Sequence, residues 1–201
     1  MFPSREEAHR LIEDAEKFNP GPWVEHSKAV ASCAESIASN CVDLDAEKAY
    51  ILGLLHDIGR KFGVKHLAHV YDGYTYMNES GYDEVARICM THSFCVRKID
   101  SYVGKFDVSD DIQKFIEDYL VKVKYDDYDR LIQLCDALGS AEGVVSVECR
   151  MADVKQRYGY YPQDKWDKHI ELKEYFSEKI GRNIYEIFCE KDLLTEEGGT
   201  A

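Results

Sequence analysis

The sequence predicts an all-α fold, a compact single-domain helical bundle. Apolar residues recur at helical spacing along almost all of the 201 residues, and convincing strand alternation is nearly absent. With 45% hydrophobic residues, the chain has enough apolar surface for one large core. No proline-rich, serine-rich or low-complexity stretch separates two halves, so residues 1–201 are predicted to form one domain.

Start and stop signals divide the first half into helices. Ser4 begins the first helix as an N-cap, and the sequence "NPGP" ends it. Gly59 ends the third helix, and Ser80-Gly81 ends the fourth. The predicted helices span about residues 4–17, 23–41, 45–59 (capped by Asp43 or Asp45), 65–79 and 82–92.

The second half shows the clearest amphipathic pattern, in "VSDDIQKFIEDYLVKV", where Ser109 is the predicted N-cap. The tyrosine-rich stretch "RYGYYPQD" is interpreted as a loop inside the domain. The C-terminal helices from about 144 to 190 are expected to pack on a core at about 20–140. The predicted helices span about residues 109–123, 127–139, 144–157, 165–181 and 183–190.

Composition excludes several classes of function. The formal charge of −13, without a basic stripe, argues against binding to a nucleic-acid duplex. No run of 18 apolar residues and no secretory signal is present, so we expect no membrane association and a cytoplasmic location. The seven cysteines form no CxxC pair, which favours a reducing compartment; Cys33, Cys89 and Cys135 are predicted to be buried as small apolar residues.

Several polar side chains fall on the apolar faces of the predicted helices. His26, His56 and His92 continue apolar stripes at helical spacing, and Asp136 is surrounded by apolar residues in "RLIQLCDALG". A single buried histidine is usually satisfied by a backbone carbonyl. Several imidazoles and carboxylates in one small core are costly unless they satisfy each other or a cation. The set therefore predicts a divalent metal.

His56 and Asp57 are adjacent at the end of a helix, in "GLLHDIGR". Neighbours on a helix diverge by about 100°, so the two side chains cannot chelate one ion side by side. At a helix end they can straddle a metal, with Asp57 bridging toward a second ion. Imidazole and carboxylate together favour Mn, Fe, Co, Zn or Ni over Mg, with one or two ions per chain.

The order of His26, His56-Asp57 and Asp136 on helices resembles the HD-domain superfamily of metal-dependent phosphohydrolases. The phrases "PWVEHSKAVASCAESIA" and "GLLHDIGR" carry the resemblance, which covers about residues 20–140. It implies that these four residues ligate one metal. The chain has no GYP signature, so the resemblance does not extend to the HD-GYP cyclic-dinucleotide phosphodiesterases.

Two-metal members of the superfamily add two histidines, and the resemblance assigns these roles to His69 and His92. His69 is followed by Gly73, as in the family's H-x-x-x-G pattern. His66 competes with His69 for this role, and is otherwise interpreted as a substrate contact or a surface residue.

The predicted function is hydrolysis of a phosphate ester or anhydride of a small molecule by metal-activated water, with a nucleotide as one candidate substrate and with Asp57 and His56 as catalytic residues. Arg60 and Lys61 follow this pair and either bind substrate phosphate or complement a helix end. The alternative is a mixed-valence di-iron oxygenase on the same fold, and a non-catalytic regulatory module is the third interpretation.

The residues after 140 carry no motif that identifies a substrate. Arg150 and Arg157 either close over the site or form surface salt bridges. Tyr158, Tyr160 and Tyr161 either stack on a substrate ring or pack the loop against the domain.

Overall fold

A computed structural model of the protein describes residues 1–188 and the backbone of Leu193–Leu194. The fold is helical, as the sequence predicts. The α-helices are α1 (Arg5–Phe18), α2 (Trp23–Ala38), α3 (Ala46–Leu55), α4 (Ala68–Glu79), α5 (Asp83–Thr91), α6 (Asp110–Lys122), α7 (Asp127–Asp136), α8 (Val147–Tyr158) and α9 (Gln163–Ile180). Short 3₁₀ helices lie at Ile58–Phe62, Ile99–Ser101 and Ile184–Ile187. None of the helices in the described part of the chain is long and apolar enough to cross a membrane.

The predicted N-caps are present in the structure. The side chains of Ser4, Asp45 and Ser109 accept hydrogen bonds from backbone N–H groups in the first turns of α1, α3 and α6. These bonds satisfy N–H groups that have no partner inside their helix. The choice between Asp43 and Asp45 as the cap of α3 is therefore settled in favour of Asp45.

The structure differs most from the predicted helices in three regions, and the predicted end of α2 and start of α4 are each off by three residues. The third helix ends at Leu55, and the chain continues as the 3₁₀ helix Ile58–Phe62. Residues 137–145, predicted to be helical at both ends, instead contain β1 (Gly139–Ser140) and β2 (Gly143–Val145), which pair antiparallel. The last predicted helix, 183–190, is only a 3₁₀ turn at Ile184–Ile187, and residues 189 and 190 lie outside the described residues.

The structure therefore contains a small sheet, which contacts α2. Its strand order is β1-β2-β3, where β3 (Leu193–Leu194) runs parallel to β2. Gly139 pairs with Val144, and Val144 pairs with Leu193. Strands this short are held in place by tertiary packing, so the sequence has no alternation of apolar residues that would predict them.

The main hydrophobic core is continuous from α1 to the C-terminal helices. Ile12, Val30 and Leu52 are buried in the same cluster as Leu172 and Phe176 of α9. Cys33, Cys89 and Cys135 are buried in this cluster too, as predicted. The C-terminal helices are thus held against the first half of the chain by apolar burial.

Two glycines allow the close helix contacts that position the polar residues of the core. A Cβ at Gly53 of α3 would lie 2.8 Å from the Cα of Ala31 in α2. A Cβ at Gly59 would lie 2.0 Å from the carbonyl oxygen of His69 and 2.5 Å from the backbone nitrogen of Gly73 in α4. Only residues without a side chain allow the backbones to approach this closely. The 3₁₀ helix that follows Asp57 is therefore packed directly on the helix that carries His69.

Candidate metal centre and cavity

Six predicted site residues converge from separate elements. They are His26 on α2, His56 and Asp57 at the end of α3, His69 on α4, His92 at the end of α5 and Asp136 at the end of α7. The four histidines and Asp57 are buried, while the side chain of Asp136 keeps 30% of its surface exposed. Burial of this many polar side chains in one place needs a shared partner.

The first possible metal-binding group consists of His26, His56 and Asp57, whose ligand atoms lie within 4.8 Å of one another. Asp136 Oδ1 lies 3.0 Å from His26 Nε2 and 3.9 Å from His56 Nε2. His56 Nε2 lies 3.9 Å from Asp57 Oδ2. Asp136 thus lies beside this group, as expected for a fourth ligand of the same ion.

The second possible metal-binding group consists of Asp57, His69 and His92. Asp57 Oδ1 lies 3.1 Å from His69 Nε2 and 3.5 Å from His92 Nε2. The two Nε2 atoms are 3.3 Å apart. Asp57 belongs to both groups, which is the arrangement required of a carboxylate that bridges two ions.

The histidine tautomers explain why these contacts need a cation. His56 Nδ1 donates to the carbonyl of Gly53 at 2.7 Å, and His92 Nδ1 donates to the carbonyl of Cys89 at 2.9 Å. His69 Nδ1 donates to the carbonyl of His66. A neutral imidazole protonated at Nδ1 has a lone pair at Nε2. The Nε2 lone pairs of His69 and His92 therefore face each other and the Asp57 carboxylate, which is unfavourable unless a positive ion lies between them.

Unpartnered polar atoms lead to the same conclusion. His56 Nε2, His26 Nδ1 and Asp57 Oδ1 are buried without a hydrogen bond to any part of the chain that is described. Asp57 Oδ1 lies near His69 Nε2, but both atoms are acceptors in this tautomer and cannot bond to each other. Unpartnered buried acceptors are rare in folded proteins. The donor set therefore fits one or two divalent ions.

Electrostatics keep the donors in the state that a metal requires. Burial alone would raise the pKa of Asp57, but the Arg60 guanidinium, which donates to Oδ2, and the nearby histidines hold that pKa well below its usual value. Burial lowers the pKa of His56 to about 4 and also lowers the pKa of His69. At neutral pH the carboxylate is therefore charged and these imidazoles are neutral, as metal ligation demands.

The metal-binding groups open into a cavity of about 720 Å³. One wall carries five of the six site residues, all except His56. A second wall comes from α8, α9 and the loop between them. Its lining side chains include Arg150, Arg157, Tyr158, Tyr161, Lys165 and His169. The cavity has the volume of a typical small-molecule site, about 300–1,000 Å³.

The three predicted substrate contacts occupy different places. Arg60 lines the cavity and is paired with Asp57. Lys61 does not line it: its Nζ donates to the Tyr76 hydroxyl at 3.1 Å and lies 5.0 Å from the centre of the Phe18 ring. His66 does not line it either, although its ring packs edge-on against Tyr158, a lining residue.

Both arginines of α8 form ion pairs and also line the cavity. Arg150 and Arg157 each form an ion pair with Asp153, at 3.5 Å and 2.7 Å, and all three residues line the cavity. Tyr158 and Tyr161 also line it. Tyr160 instead donates to the backbone carbonyl of Tyr102, which holds the loop against the domain.

Among the lining residues that the sequence analysis did not predict are Tyr102, Lys165 and His169. Lys165 and His169 are one helical turn apart on α9, so their i, i+4 spacing was the available signal. The spacing alone does not say that this face of α9 meets a cavity, because α9 is an amphipathic helix with many charged residues. Their role depends on where α9 packs.

Comparisons with known proteins agree with the geometry. The family model for the HD domain matches residues 23–140, more than half of the chain. No curated protein and no solved structure matches the sequence. The matched segment contains all six residues of the metal centre, whereas Lys165 and His169 lie beyond it. As the sequence resemblance predicted, the chain belongs to the HD domain family.

Proposed function

We propose that this protein is a metal-dependent phosphohydrolase that cleaves a phosphate ester or anhydride of a small molecule, with a nucleotide as one possible substrate. The observation that carries the proposal is the pair of metal-binding groups that share Asp57 and open into a cavity of about 720 Å³. Members of the HD family are generally metal-dependent phosphohydrolases. A phosphorylated small molecule is the proposed partner.

The chain's own residues prepare the site for this chemistry. Arg60 keeps Asp57 ionised, and the backbone carbonyls of Gly53 and Cys89 fix the orientation of His56 and His92. Divalent ions, when bound by these ligands, would activate water and neutralise charge on phosphoryl oxygens. No side-chain nucleophile is then needed. His56 and His69 are neutral and Asp57 is ionised at neutral pH, which is the state in which these three side chains bind an ion.

The cationic side chains that line the cavity, beside the carboxylates of Glu142 and Asp153, support a phosphorylated substrate. Arg60, Arg150, Arg157 and Lys165 line the cavity, and the Arg60 guanidinium is already paired with Asp57. Arginine binds phosphate oxygens in a bidentate manner, so Arg150 and Arg157 are suitable contacts. The overall charge of −13 does not prevent this, because a local group of cations within a cavity can oppose the net charge.

A di-iron oxygenase is the second candidate, because four histidines and two aspartates also suit iron. The ligand set alone does not separate it from a hydrolase. The cationic wall favours the hydrolase only slightly, since oxygenase substrates can themselves be anionic. A cytoplasmic location is proposed for either enzyme, and the free cysteines of the described chain are consistent with a reducing compartment.

The test is release of inorganic phosphate from a panel of nucleotides and sugar phosphates by purified protein loaded with Mn²⁺ or Co²⁺. Hydrolysis that disappears on chelation and returns with the ion is expected. Metal analysis comes first: two ions per chain would agree with both metal-binding groups, and one would remove His69 and His92 from the ligand set.

Two other outcomes would contradict the proposal. Absence of any bound metal in protein prepared without chelators would overturn the metal centre itself. Oxygen consumption by anaerobically iron-loaded protein, with no phosphate release from the panel, would favour the oxygenase.

A further inference from the structure

Lys165 is a buried cation on the cavity wall formed by α9. Only 7% of the residue's surface is exposed, and it lines the same cavity as the metal-binding groups. Its Nζ donates to the backbone carbonyl of Ser93 at 2.8 Å. Ser93 directly follows His92, so the ammonium lies beside the wall that carries the metal ligands.

This ammonium has no counter-ion within the described chain. No carboxylate oxygen of those residues lies within 4.0 Å of Lys165 Nζ; the neighbouring Asp164 instead faces Lys98, at 3.9 Å. Burial of an ammonium without an opposite charge is costly, and burial lowers the pKa of Lys165 accordingly. A carbonyl oxygen satisfies one of its three donors. The remaining donors belong to a side chain that faces a cavity.

His169 provides a second polar group one helical turn away. It is 5% exposed, and its Nδ1 lies 3.0 Å from the hydroxyl of Tyr161. In one of the two tautomers that this contact allows, the Tyr161 hydroxyl donates to Nδ1. The proton of the imidazole is then on Nε2, which makes no hydrogen bond to any described residue. His169 thereby presents an N–H donor to the cavity.

Both groups act close to the metal centre. Lys165 and His169 line the same cavity as Asp136 and His92, and the Lys165 ammonium donates to the carbonyl of Ser93, the residue that follows His92. Both residues lie outside the family-matched segment 23–140. Both are carried by the C-terminal helix α9.

We propose that Lys165 and His169 form a substrate subsite that binds a phosphate oxyanion, with Lys165 as its counter-ion and His169 as a neutral N–H donor. The inference rests on the proposed function, which supplies the phosphorylated substrate. An anion bound here would lie between a cationic wall and the metal ligands. The subsite would hold the substrate and would add to the choice among phosphorylated compounds.

The experiment measures binding of inorganic phosphate to the Mn²⁺-loaded full chain by isothermal titration calorimetry. Lys165→Met should weaken phosphate binding at least about tenfold, because it removes one charge-assisted hydrogen bond. Lys168→Met is the matched control, since Lys168 is on the same helix and pairs with Glu171 away from the cavity. It should bind phosphate like the unmodified protein. Both variants should keep the full metal content.

Thermal unfolding separates a ligand-binding lysine from a structural one. If the ammonium is held without a counter-ion for the benefit of a ligand, Lys165→Met should raise the unfolding temperature by about 2–4 °C. If its bond to the Ser93 carbonyl serves the fold, the same variant should lower it. A lowered unfolding temperature, or a phosphate affinity within twofold of the unmodified protein, would overturn the subsite.

The subsite and the proposed function can fail separately. Phosphate binding that depends on Lys165, without hydrolysis of any compound in the panel, would remove the proposed function and keep the subsite. Hydrolysis with the same KM in the unmodified protein and in Lys165→Met would keep the function and remove the subsite.

Discussion

The two walls of the cavity are built in different ways. On the metal-bearing wall, His56, His69 and His92 each donate from Nδ1 to the carbonyl three residues earlier. On the wall formed by α8 and α9, two polar contacts join distant parts of the chain, beside the local ion pairs of Asp153. Lys165 reaches Ser93, 72 residues away in sequence, and Tyr160 reaches Tyr102.

This difference determines what each wall can tolerate. A bond within one helical turn forms together with the helix, so the three imidazoles are oriented before any ion binds. The contacts of the second wall form only when α9 packs on the core. Changes in the metal-bearing wall should therefore abolish function, whereas changes in the second wall should alter substrate binding and its dependence on conditions.

The largest effect is expected for Asp57→Asn. This variant removes the charge that both metal-binding groups share, so it should lose both ions and at least about 1,000-fold in kcat/KM, equivalent to about 4 kcal/mol. Asp153→Asn on the second wall is the comparison, because Asp153 pairs with Arg150 and Arg157 rather than with a histidine. Elemental analysis should find its metal content unchanged. Equal metal loss in both variants would remove the distinction between the walls.

Gly59→Ala should damage the metal-bearing wall without touching a ligand. The new Cβ would meet backbone atoms of His69 and Gly73, which cannot rotate away, so we expect a loss of about 3 kcal/mol in the free energy of unfolding. Urea denaturation measures it. Gly21→Ala is the control, since its Cβ would contact only the side chain of Trp23, at 3.3 Å. Gly21→Ala should lower the free energy of unfolding by less than about 1 kcal/mol. A similar loss in both variants would contradict this explanation.

The locally built wall is also the part that the sequence could predict. Helical spacing placed His26, His56, His92 and Asp136 on inward faces, and the structure brings them together. The assignment of His69 came from the family's pattern with Gly73. The structure supplies a physical reason, because Gly73 lies against Gly59: a Cβ at Gly73 would lie 3.2 Å from the backbone nitrogen of Gly59 and 3.1 Å from the Cβ of Cys89.

The pH dependence of stability should report on the wall formed by α8 and α9, because this wall contains the buried His169. Burial and the nearby Lys165 lower the pKa of His169 to about 3 in the folded protein, compared with about 6.5 when unfolded. The unfolded chain therefore binds a proton below pH 6.5 that the folded chain does not. This contribution to stability is complete above pH 6.5 and is lost progressively as the pH falls toward 3.

Between pH 6.5 and pH 5 the free energy of unfolding should therefore fall by about 2 kcal/mol more in the unmodified protein than in His169→Gln. Urea denaturation of both proteins across this range measures the difference, and the shared titrations of other groups cancel in it. If the free energies of unfolding of the two proteins instead change in parallel with pH, His169 is hydrated and is not buried by the packing of α9.

The second wall could not be predicted because its cause is tertiary. The apolar pattern correctly located most of α8 and α9, but it could not show that Lys165 is buried, since lysine is almost always exposed. The prediction for residues 139–145 was wrong for a similar reason. Their strands are two and three residues long, and they exist because they pair with each other and with Leu193–Leu194.

The smallest effect is expected for Lys61→Met, and it decides whether adjacency to Asp57 in sequence means adjacency in function. Lys61 was predicted, together with Arg60, to bind substrate phosphate. In the structure its ammonium contacts Tyr76 and Phe18 outside the cavity, while Arg60 faces the cavity. The KM for the best phosphorylated substrate should therefore change less than about twofold, since a surface contact of this kind contributes at most about 1 kcal/mol and acts elsewhere. A KM raised tenfold, with the same unfolding temperature, would return Lys61 to the substrate site and would show that the metal-bearing wall extends along the 3₁₀ helix Ile58–Phe62.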